Sequence, residues 1–248
     1  MDTNGVPLAQ QQGKQISINM STDSLGGVFV TWQDKRGGVD DDIYGTHVDA
    51  NHNVIAPGSG VPIVVEGGTQ SAKSIEYAGN NEAFICWSDS RLGENIDIYG
   101  QRLDINMQPV FEENGIPIAN TIGLETRPRT TFLSNTTSFV TWKSGDEDAR
   151  ILYQFVDNQG LVFDNAKSVS SYDAIQTAPR VKRSKLGEVF VSWKDLRFDP
   201  VDGDIFMQKI NNDGDALWAD GIQVDPTEGV NFSGRFASNN IGGFDIFW

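Results

Sequence analysis

The stretch Gly27-Val28-Phe29-Val30-Thr31-Trp32 decides the architecture of this chain, because recognisable copies of it return four more times. The copies are Ala83-Phe84-Ile85-Cys86-Trp87, Ser138-Phe139-Val140-Thr141-Trp142, Val189-Phe190-Val191-Ser192-Trp193 and Phe244-Asp245-Ile246-Phe247-Trp248. Their tryptophans lie 55, 55, 51 and 55 residues apart. A repeat of this length predicts a stacked or circular architecture.

A second landmark, Gly5-Val6-Pro7-Leu8, lies 27 residues before the first of these tryptophans. Its later copies keep that spacing: Gly60-Val61-Pro62-Ile63, Gly115-Ile116-Pro117-Ile118, Ala166-Lys167-Ser168-Val169 and Gly221-Ile222-Gln223-Val224. From each tryptophan to the next copy the chain takes 28, 28, 24 and 28 residues, so one half of the repeat is constant and the other varies. Counted this way, the repeats cover about residues 5–59, 60–114, 115–165, 166–220 and 221–248. We expect them to form one domain, cut from a larger protein.

Composition narrows the function. The 248 residues carry 19 basic and 34 acidic side chains, a net charge of −15, which argues against a nucleic-acid partner because phosphate binding needs clustered Lys and Arg. The sequence has no run of 18 apolar residues, so we expect no membrane insertion. One cysteine, Cys86, excludes an intrachain disulfide, and His47 and His52 are too few for a histidine metal cluster or a Ser-His-Asp site.

Each repeat contains four strand-like runs, clearest in the second repeat at residues 73–78, 82–87, 97–104 and 115–119. A tight polar turn, Gly79-Asn80-Asn81, joins the first two runs and predicts antiparallel pairing. The second run is apolar on both faces and must be covered on both sides, and proline in the fourth run marks an outer edge. These features predict an all-β fold, a β-propeller of about five blades with four antiparallel strands each.

The two ends of the chain complement each other in part. Residues 5–9 read as a fourth strand without its blade, and residues 233–248 read as a first and second strand without the rest of theirs. Joining them would close the ring and hide its open edges, but one third strand is missing. We therefore expect the last blade to be incomplete or closed by the N-terminal strand, with Trp248 at an interrupted edge that could recruit a partner strand.

The chain resembles a family of β-propeller repeats at the pattern Trp-x-Asp-x-Arg followed by Asp-Ile-Tyr. The copies are Trp32-Asp34-Arg36-Asp42-Ile43-Tyr44, Trp87-Asp89-Arg91-Asp97-Ile98-Tyr99 and Trp193-Asp195-Arg197-Asp204-Ile205-Phe206. This family occurs in large secreted bacterial surface proteins, often ones with a type IX secretion sorting domain. The resemblance covers nearly the whole chain and implies a propeller in an extracellular or cell-surface location. The third repeat departs from the pattern, with Trp142-Lys143-Ser144 and no matching arginine.

The Asp and Arg after each tryptophan carry the main chemical hypothesis. Two residues apart at a strand end, they can pair with each other and hold the loop between the second and third strands. Arrayed around one mouth of the ring, they could instead bind a protein or glycan ligand. The candidate ligand-binding residues are Asp34, Arg36, Asp89, Arg91, Asp195 and Arg197, with the structural brace as the favoured interpretation.

Other chemistry has weaker support in the sequence. The acidic loops 37–42, 93–97 and 198–204 offer oxygen ligands for calcium, but none matches an EF-hand loop, so we expect no metal or cofactor. Among the predicted first strands only Glu76 is acidic, whereas glycoside hydrolysis uses two carboxylates. We therefore expect no catalytic residues and a non-catalytic extracellular module for protein interaction, adhesion or scaffolding. The alternatives are a lectin with repeated carbohydrate sites and, with less support, a glycoside hydrolase-like enzyme.

Overall fold

The computed structural model describes residues 5–224, except for the side chains of residues 72 and 73, together with the backbone of residues 235–238 and 244–247. These residues form strands and turns, and they include no helix long and apolar enough to cross a membrane. The strands fall into five separate antiparallel sheets. Each sheet follows the order of the chain, as the tight turns predict.

The sheets are the blades. The first blade contains β1 (Gln15–Thr22), β2 (Val28–Asp34), β3 (Asp42–Val48) and β4 (Val61–Val64). The second contains β5 (Gln70–Gly79), β6 (Glu82–Asp89), β7 (Asp97–Leu103) and β8 (Ile116–Ala119). The third contains β9 (Glu125–Phe132), β10 (Ser138–Ser144) and β11 (Arg150–Asp157), with β12 (Gly160–Leu161) and β13 (Lys167–Ser168) both paired to β11. The fourth contains β14 (Gln176–Arg183), β15 (Val189–Asp195), β16 (Asp204–Ile210) and β17 (Ile222–Gln223), and the fifth sheet pairs β18 (Arg235–Ser238) with β19 (Phe244–Phe247).

The first strands of consecutive blades contact one another: β1 contacts β5, β5 contacts β9, and β9 contacts β14. A first strand is therefore the inner strand of its blade. The fourth strands β4, β8 and β17 pair on one side only, with β3, β7 and β16, and form the outer edges. Sheets of four antiparallel strands arranged in this way make the chain a β-propeller, which confirms the predicted fold class.

The second strands form the core. All but the first residue of β2 are buried, and so are all but the first residue of β6, which confirms the prediction of two-sided cover. Trp87, Trp142 and Trp193 are among the largest fully buried side chains. Aromatic and branched side chains on both faces of one strand can be covered only if it packs against a neighbouring blade on each side.

The packing of tryptophan on glycine explains why the two sequence landmarks recur together. A Cβ added at Gly115 would lie 2.4 Å from Cη2 of Trp87, and one added at Gly60 would lie 2.5 Å from the same atom of Trp32. Both glycines also have positive φ, +81° and +67°, which L side chains rarely adopt. The indole of the second strand therefore requires glycine at the start of the fourth strand, 28 residues later.

Arg102 fastens the second blade to the third. It is fully buried, and its Nε donates to Oε2 of Glu82 (2.6 Å) in its own blade. Its Nη1 donates to the carbonyl oxygen of Thr136 (2.8 Å), in the hairpin between β9 and β10. A buried guanidinium is tolerated because carbonyl and carboxylate oxygens surround it.

The termini differ in part from the prediction. Residues 5–9 are described and form no strand, so the predicted N-terminal fourth strand is wrong for this structure. A strand needs a neighbour to supply its ladder hydrogen bonds, and the third strand that residues 5–9 would pair with is the one that the sequence lacks. The predicted first and second strands near the C-terminus are present as β18 and β19. Trp248 lies outside the described residues.

Candidate functional site

The Trp-x-Asp-x-Arg residues form a compact brace at the end of each second strand, clearest in the second blade. Asp89 is buried, and its Oδ2 accepts hydrogen bonds from Nε1 of Trp87 (2.7 Å) and Nη2 of Arg91 (2.6 Å). Its Oδ1 accepts from the backbone N–H of Arg91 (2.8 Å). One carboxylate therefore fixes the indole, the guanidinium and the backbone of the loop that follows.

The arginine of the brace has further partners. Nη2 of Arg91 also donates to the carbonyl oxygen of Asn114 (3.0 Å), just before β8, and its guanidinium lies 4.0 Å from the ring centre of Tyr99 on β7. The brace thus connects the second, third and fourth strands of one blade. The first and fourth blades repeat it with the following residues: Trp32, Asp34, Arg36, Ser59 and Tyr44, and Trp193, Asp195, Arg197, Asp220 and Phe206.

The expected bidentate contact occurs only in the fourth blade. There Arg197 donates from Nε to Oδ1 of Asp195 (2.9 Å) and from Nη2 to Oδ2 (2.7 Å). In the first two blades the Nε atoms of Arg36 and Arg91 are buried and have no hydrogen-bond partner among the described residues. The arginines of the first two blades therefore bind the carboxylate through one side-chain nitrogen and the backbone.

Hydrogen bonding stabilises the charged form of these aspartates. Burial alone raises the pKa of Asp195, but hydrogen bonds from Arg197 and Trp193 outweigh it and hold the pKa below its usual value. The pKa of Asp34 is lowered in the same way, against burial, by Arg36 and Trp32. The pair is thus ionised and internally satisfied at neutral pH.

The third blade, which lacks the motif, rebuilds the same support from a different strand. Nε1 of Trp142 donates to Oε2 of Glu125 (2.6 Å), the first residue of inner strand β9. Oε1 of Glu125 accepts from the hydroxyls of Ser144 (3.0 Å) and Thr121 (2.5 Å). Glu125 is buried and replaces the aspartate that Ser144 lacks.

Sequence reasoning missed this exchange, although the aligned repeats contain its signal. The position of Glu125 is glutamine in the other three blades, as Gln15, Gln70 and Gln176, and each amide contacts the brace aspartate at 3.3–3.5 Å. Glutamine accompanies aspartate, and glutamate accompanies serine. The predicted first strands began one residue too late to include this position in the first blade.

The six candidate ligand-binding residues therefore lie as three pairs, one in each of three blades. The aspartates are buried, and the arginine side chains are 20%, 14% and 5% exposed in the first, second and fourth blades. Each guanidinium already contacts a carboxylate, a carbonyl oxygen and an aromatic ring. This geometry favours the brace, and ligand binding by these residues stays a prediction.

The acidic loops keep their carboxylates apart. Among the described residues no group of three or more His, Cys, Asp or Glu side chains is placed to hold a metal ion. In the loop 198–204, Oδ1 of Asp199 instead accepts from the backbone N–H groups of Val201 (2.9 Å) and Asp202 (3.0 Å). Calcium binding stays a prediction.

The inner strands bring a second set of charged groups to the propeller axis. Glu76 on β5 is 31% exposed, and Nζ of Lys182 on β14, two blades away, lies 3.6 Å from its Oε1. Oγ of Ser21 on β1 donates to Oε2 of Glu76 at 3.5 Å. We call the space between these inner strands the axial channel. Burial raises the pKa of Glu76, and the charge of Lys182 opposes this only in part.

The remaining reactive side chains are structural. Cys86 is fully buried, and burial raises the pKa of its thiol, so it is a poor nucleophile. His47 is buried with its Nε2 2.8 Å from Oδ2 of Asp23, which orients the turn between β1 and β2. Neither side chain lines the axial channel.

Comparison with known proteins gives a fold and no family. No protein-family model matches the chain, and no curated protein matches its sequence. Among solved structures it is similar to an endo-arabinase from Bacteroides thetaiotaomicron, with 9% identity, 98% of this chain and 91% of that chain covered, and a TM-score of 0.54. It is also similar to an α-L-arabinofuranosidase from Clostridium thermocellum, with 11% identity, coverages of 95% and 83%, and a TM-score of 0.51.

A third solved structure broadens the comparison beyond arabinan enzymes. The subtype N10 neuraminidase-like protein of a little yellow-shouldered bat isolate matches with 11% identity and a TM-score of 0.53. The match covers 86% of this chain but only 61% of that protein, so this chain spans less than two thirds of its length. At these identities the likeness shows the propeller fold.

The comparisons correct the prediction of a non-catalytic adhesion or scaffolding module. The structural neighbours include an endo-arabinase and an arabinofuranosidase, both named for action on glycans. The prediction rested on the repeat pattern, and the repeat pattern reports only how the blades are built. Residues that break the repeat, such as Glu76 on the inner strands, carry the chemical information.

Proposed function

We propose that this protein is a glycoside hydrolase-like propeller that acts on a glycan bound in the axial channel, with Glu76 as the proton donor. The single observation that supports this most is the placement of Glu76. It is the acidic side chain on the described inner strands that reaches the channel, and partners from two other blades, Ser21 and Lys182, contact it. Glu125, the other acidic side chain on those strands, is buried beneath Trp142.

The environment of Glu76 suits proton donation. A general acid must be protonated at the working pH, and burial raises the pKa of Glu76 in that direction. Hydrolysis of a glycosidic bond begins with proton transfer to the leaving oxygen. Lys182 then stabilises the carboxylate that remains, because an opposite charge at 3.6 Å favours the ionised form.

Two further features support a glycan as substrate. The neighbours with the closest coverage of this chain are named as arabinan-degrading enzymes. The channel wall is also polar, with hydroxyl and cationic groups from Ser21, Thr131 and Lys182 at equivalent positions of their inner strands. Sugars are recognised by such groups through hydrogen bonds to their hydroxyls.

The test is turnover of a small panel of substrates by the wild type and by Glu76→Gln. We expect release of reducing ends from arabinan or a 4-nitrophenyl arabinoside, and a loss of about 100-fold or more in Glu76→Gln, the usual scale for removing a general acid. Glu94→Gln, an exposed residue in the loop between β6 and β7, is the matched control and should keep full activity.

The outcomes separate the alternatives. Turnover that survives in Glu76→Gln would contradict the assignment of the proton donor. Saturable binding of arabino-oligosaccharides without turnover would support the carbohydrate-binding alternative. Neither turnover nor binding across the panel would overturn the proposed function.

A further inference from the structure

A cavity of about 380 Å³ lies between the second and third blades, apart from the braces. It is lined by Ser71, Ser88 and Ile96 from the second blade and by Thr126, Arg127 and Arg129 from the third. Three hydroxyls, two guanidinium groups and one apolar wall therefore face one space. Cavities that combine a few convergent polar groups with an apolar surface are typical of ligand sites.

The two arginines of this cavity differ from the other arginines of the protein. Five arginines in the described residues pair with a carboxylate: Arg36, Arg91, Arg102, Arg150 and Arg197. In the same part of the chain Arg127 and Arg129 form no ion pair, and Arg129 donates one hydrogen bond, from Nη1 to the carbonyl oxygen of Pro128 (2.8 Å). With 34 acidic residues against 19 basic ones, acidic partners are abundant in this chain.

The surroundings of Arg129 make the missing counter-charge costly. Arg129 is half-buried, and burial lowers its pKa, with the positive charges of Arg180 and Arg127 lowering it further. A guanidinium nevertheless stays charged in proteins. A bound anion would relieve both the desolvation and the repulsion between like charges.

Ser88 gives an independent sign of a ligand. Its side chain is 8% exposed, and its Oγ is buried without a hydrogen-bond partner among the described residues. Buried polar groups are almost always satisfied, so each exception needs an explanation. Here the unpartnered hydroxyl lines the same cavity as the two unpaired arginines.

We propose that this cavity binds the carboxylate of an acidic sugar, a hexuronate unit within a glycan. Arg127 and Arg129 bind the carboxylate, because planar guanidinium groups match its geometry and give strong charge-assisted hydrogen bonds. Ser88 binds a hydroxyl of the same sugar ring, and Ile96 supports its apolar face. The carboxylate follows from the arginines alone, whereas the sugar rests on the proposed function.

The test is calorimetric titration with trigalacturonate, with arabinotriose as the neutral probe and inorganic phosphate as the plain anion. We expect trigalacturonate to bind at least about tenfold more tightly than either, and its affinity to fall as salt is raised. Arg129→Gln should weaken trigalacturonate binding by about tenfold or more, while Lys14→Gln, an exposed position that changes the charge equally, should not. Equal binding of arabinotriose or of phosphate would overturn the proposal.

Ser88→Ala separates a ligand site from a structural role. Because its hydroxyl has no partner, its removal should leave the thermal midpoint unchanged or higher and still weaken trigalacturonate binding a few-fold. Loss of stability with unchanged affinity would contradict the assignment. Glu76→Gln should keep trigalacturonate binding, so a failure of the hydrolase proposal and a failure of this site give different results.

Discussion

Replacing Asp89 by alanine tests the brace in the blade where its geometry is clearest. The substitution removes the acceptor of the buried indole N–H of Trp87 and of the guanidinium of Arg91. It leaves Arg91 with the carbonyl oxygen of Asn114 and the ring of Tyr99 as partners. Asp89→Ala therefore leaves one buried donor unsatisfied and one charge without its counter-ion.

The magnitude follows from burial. A buried donor without a partner costs about 1–3 kcal/mol, and a buried ion pair broken on one side costs about 3–5 kcal/mol. Because the Arg91 side chain is 14% exposed and can turn toward water, we expect the lower end, a loss of about 3 kcal/mol in the free energy of unfolding. A pair at the surface would contribute only about 0–1 kcal/mol.

Urea unfolding followed by tryptophan fluorescence measures this loss as a shift of the midpoint. Asp146→Ala is the matched control, because Asp146 forms an ion pair with Lys143 at 3.3 Å but is 74% exposed. We expect Asp89→Ala to unfold at a much lower urea concentration and Asp146→Ala to unfold like the wild type. Equal midpoints for the two variants would refute the brace.

Three further predictions concern stability. Trp87→Ala should lower the free energy of unfolding by about 3–5 kcal/mol, measured by urea titration, because the indole is fully buried; a loss below 1 kcal/mol would contradict its place in the core. Glu125→Gln alone should cost about 1–3 kcal/mol, and adding Ser144→Asp should restore most of it by recreating the Gln/Asp pair of the other blades, unless the two sites prove additive in thermal melts. The pKa of both Asp34 and Asp195 lies below the unfolded value of 3.8, so their contribution is complete above about pH 5 and is lost as pH falls through the lower folded pKa; urea midpoints from pH 7 to pH 3 should fall, and Asp195→Asn should flatten that fall.

The sequence predicts the fold well because each blade solves the same packing problem. The two-faced apolar run around Trp87 requires neighbours on both sides, and the proline of the fourth strand requires an edge, so the blade order follows from local chemistry. The glycine of the fourth strand recurs with the tryptophan because the indole packs against its backbone. These constraints act within one repeat, and a repeat pattern reports them.

The candidate site follows from the sequence only in part. The pairing of Asp89 with Arg91 lies within three residues and can be inferred from spacing. The contact of Glu76 with Lys182 joins strands two blades apart, and its existence depends on how the blades are arranged around the axis. The support of Trp142 by Glu125 likewise joins two strands, and only the alignment of all four repeats could have indicated it.

A structure of Glu76→Gln crystallised with an arabino-oligosaccharide tests most directly whether the axial channel is the functional centre. We expect a sugar unit in the channel, with a hydroxyl or glycosidic oxygen within hydrogen-bond distance of residue 76 and of Lys182. We expect the brace arginines, Arg36, Arg91 and Arg197, to keep their carboxylate partners. Sugar bound at those arginines, with the channel empty, would contradict the account.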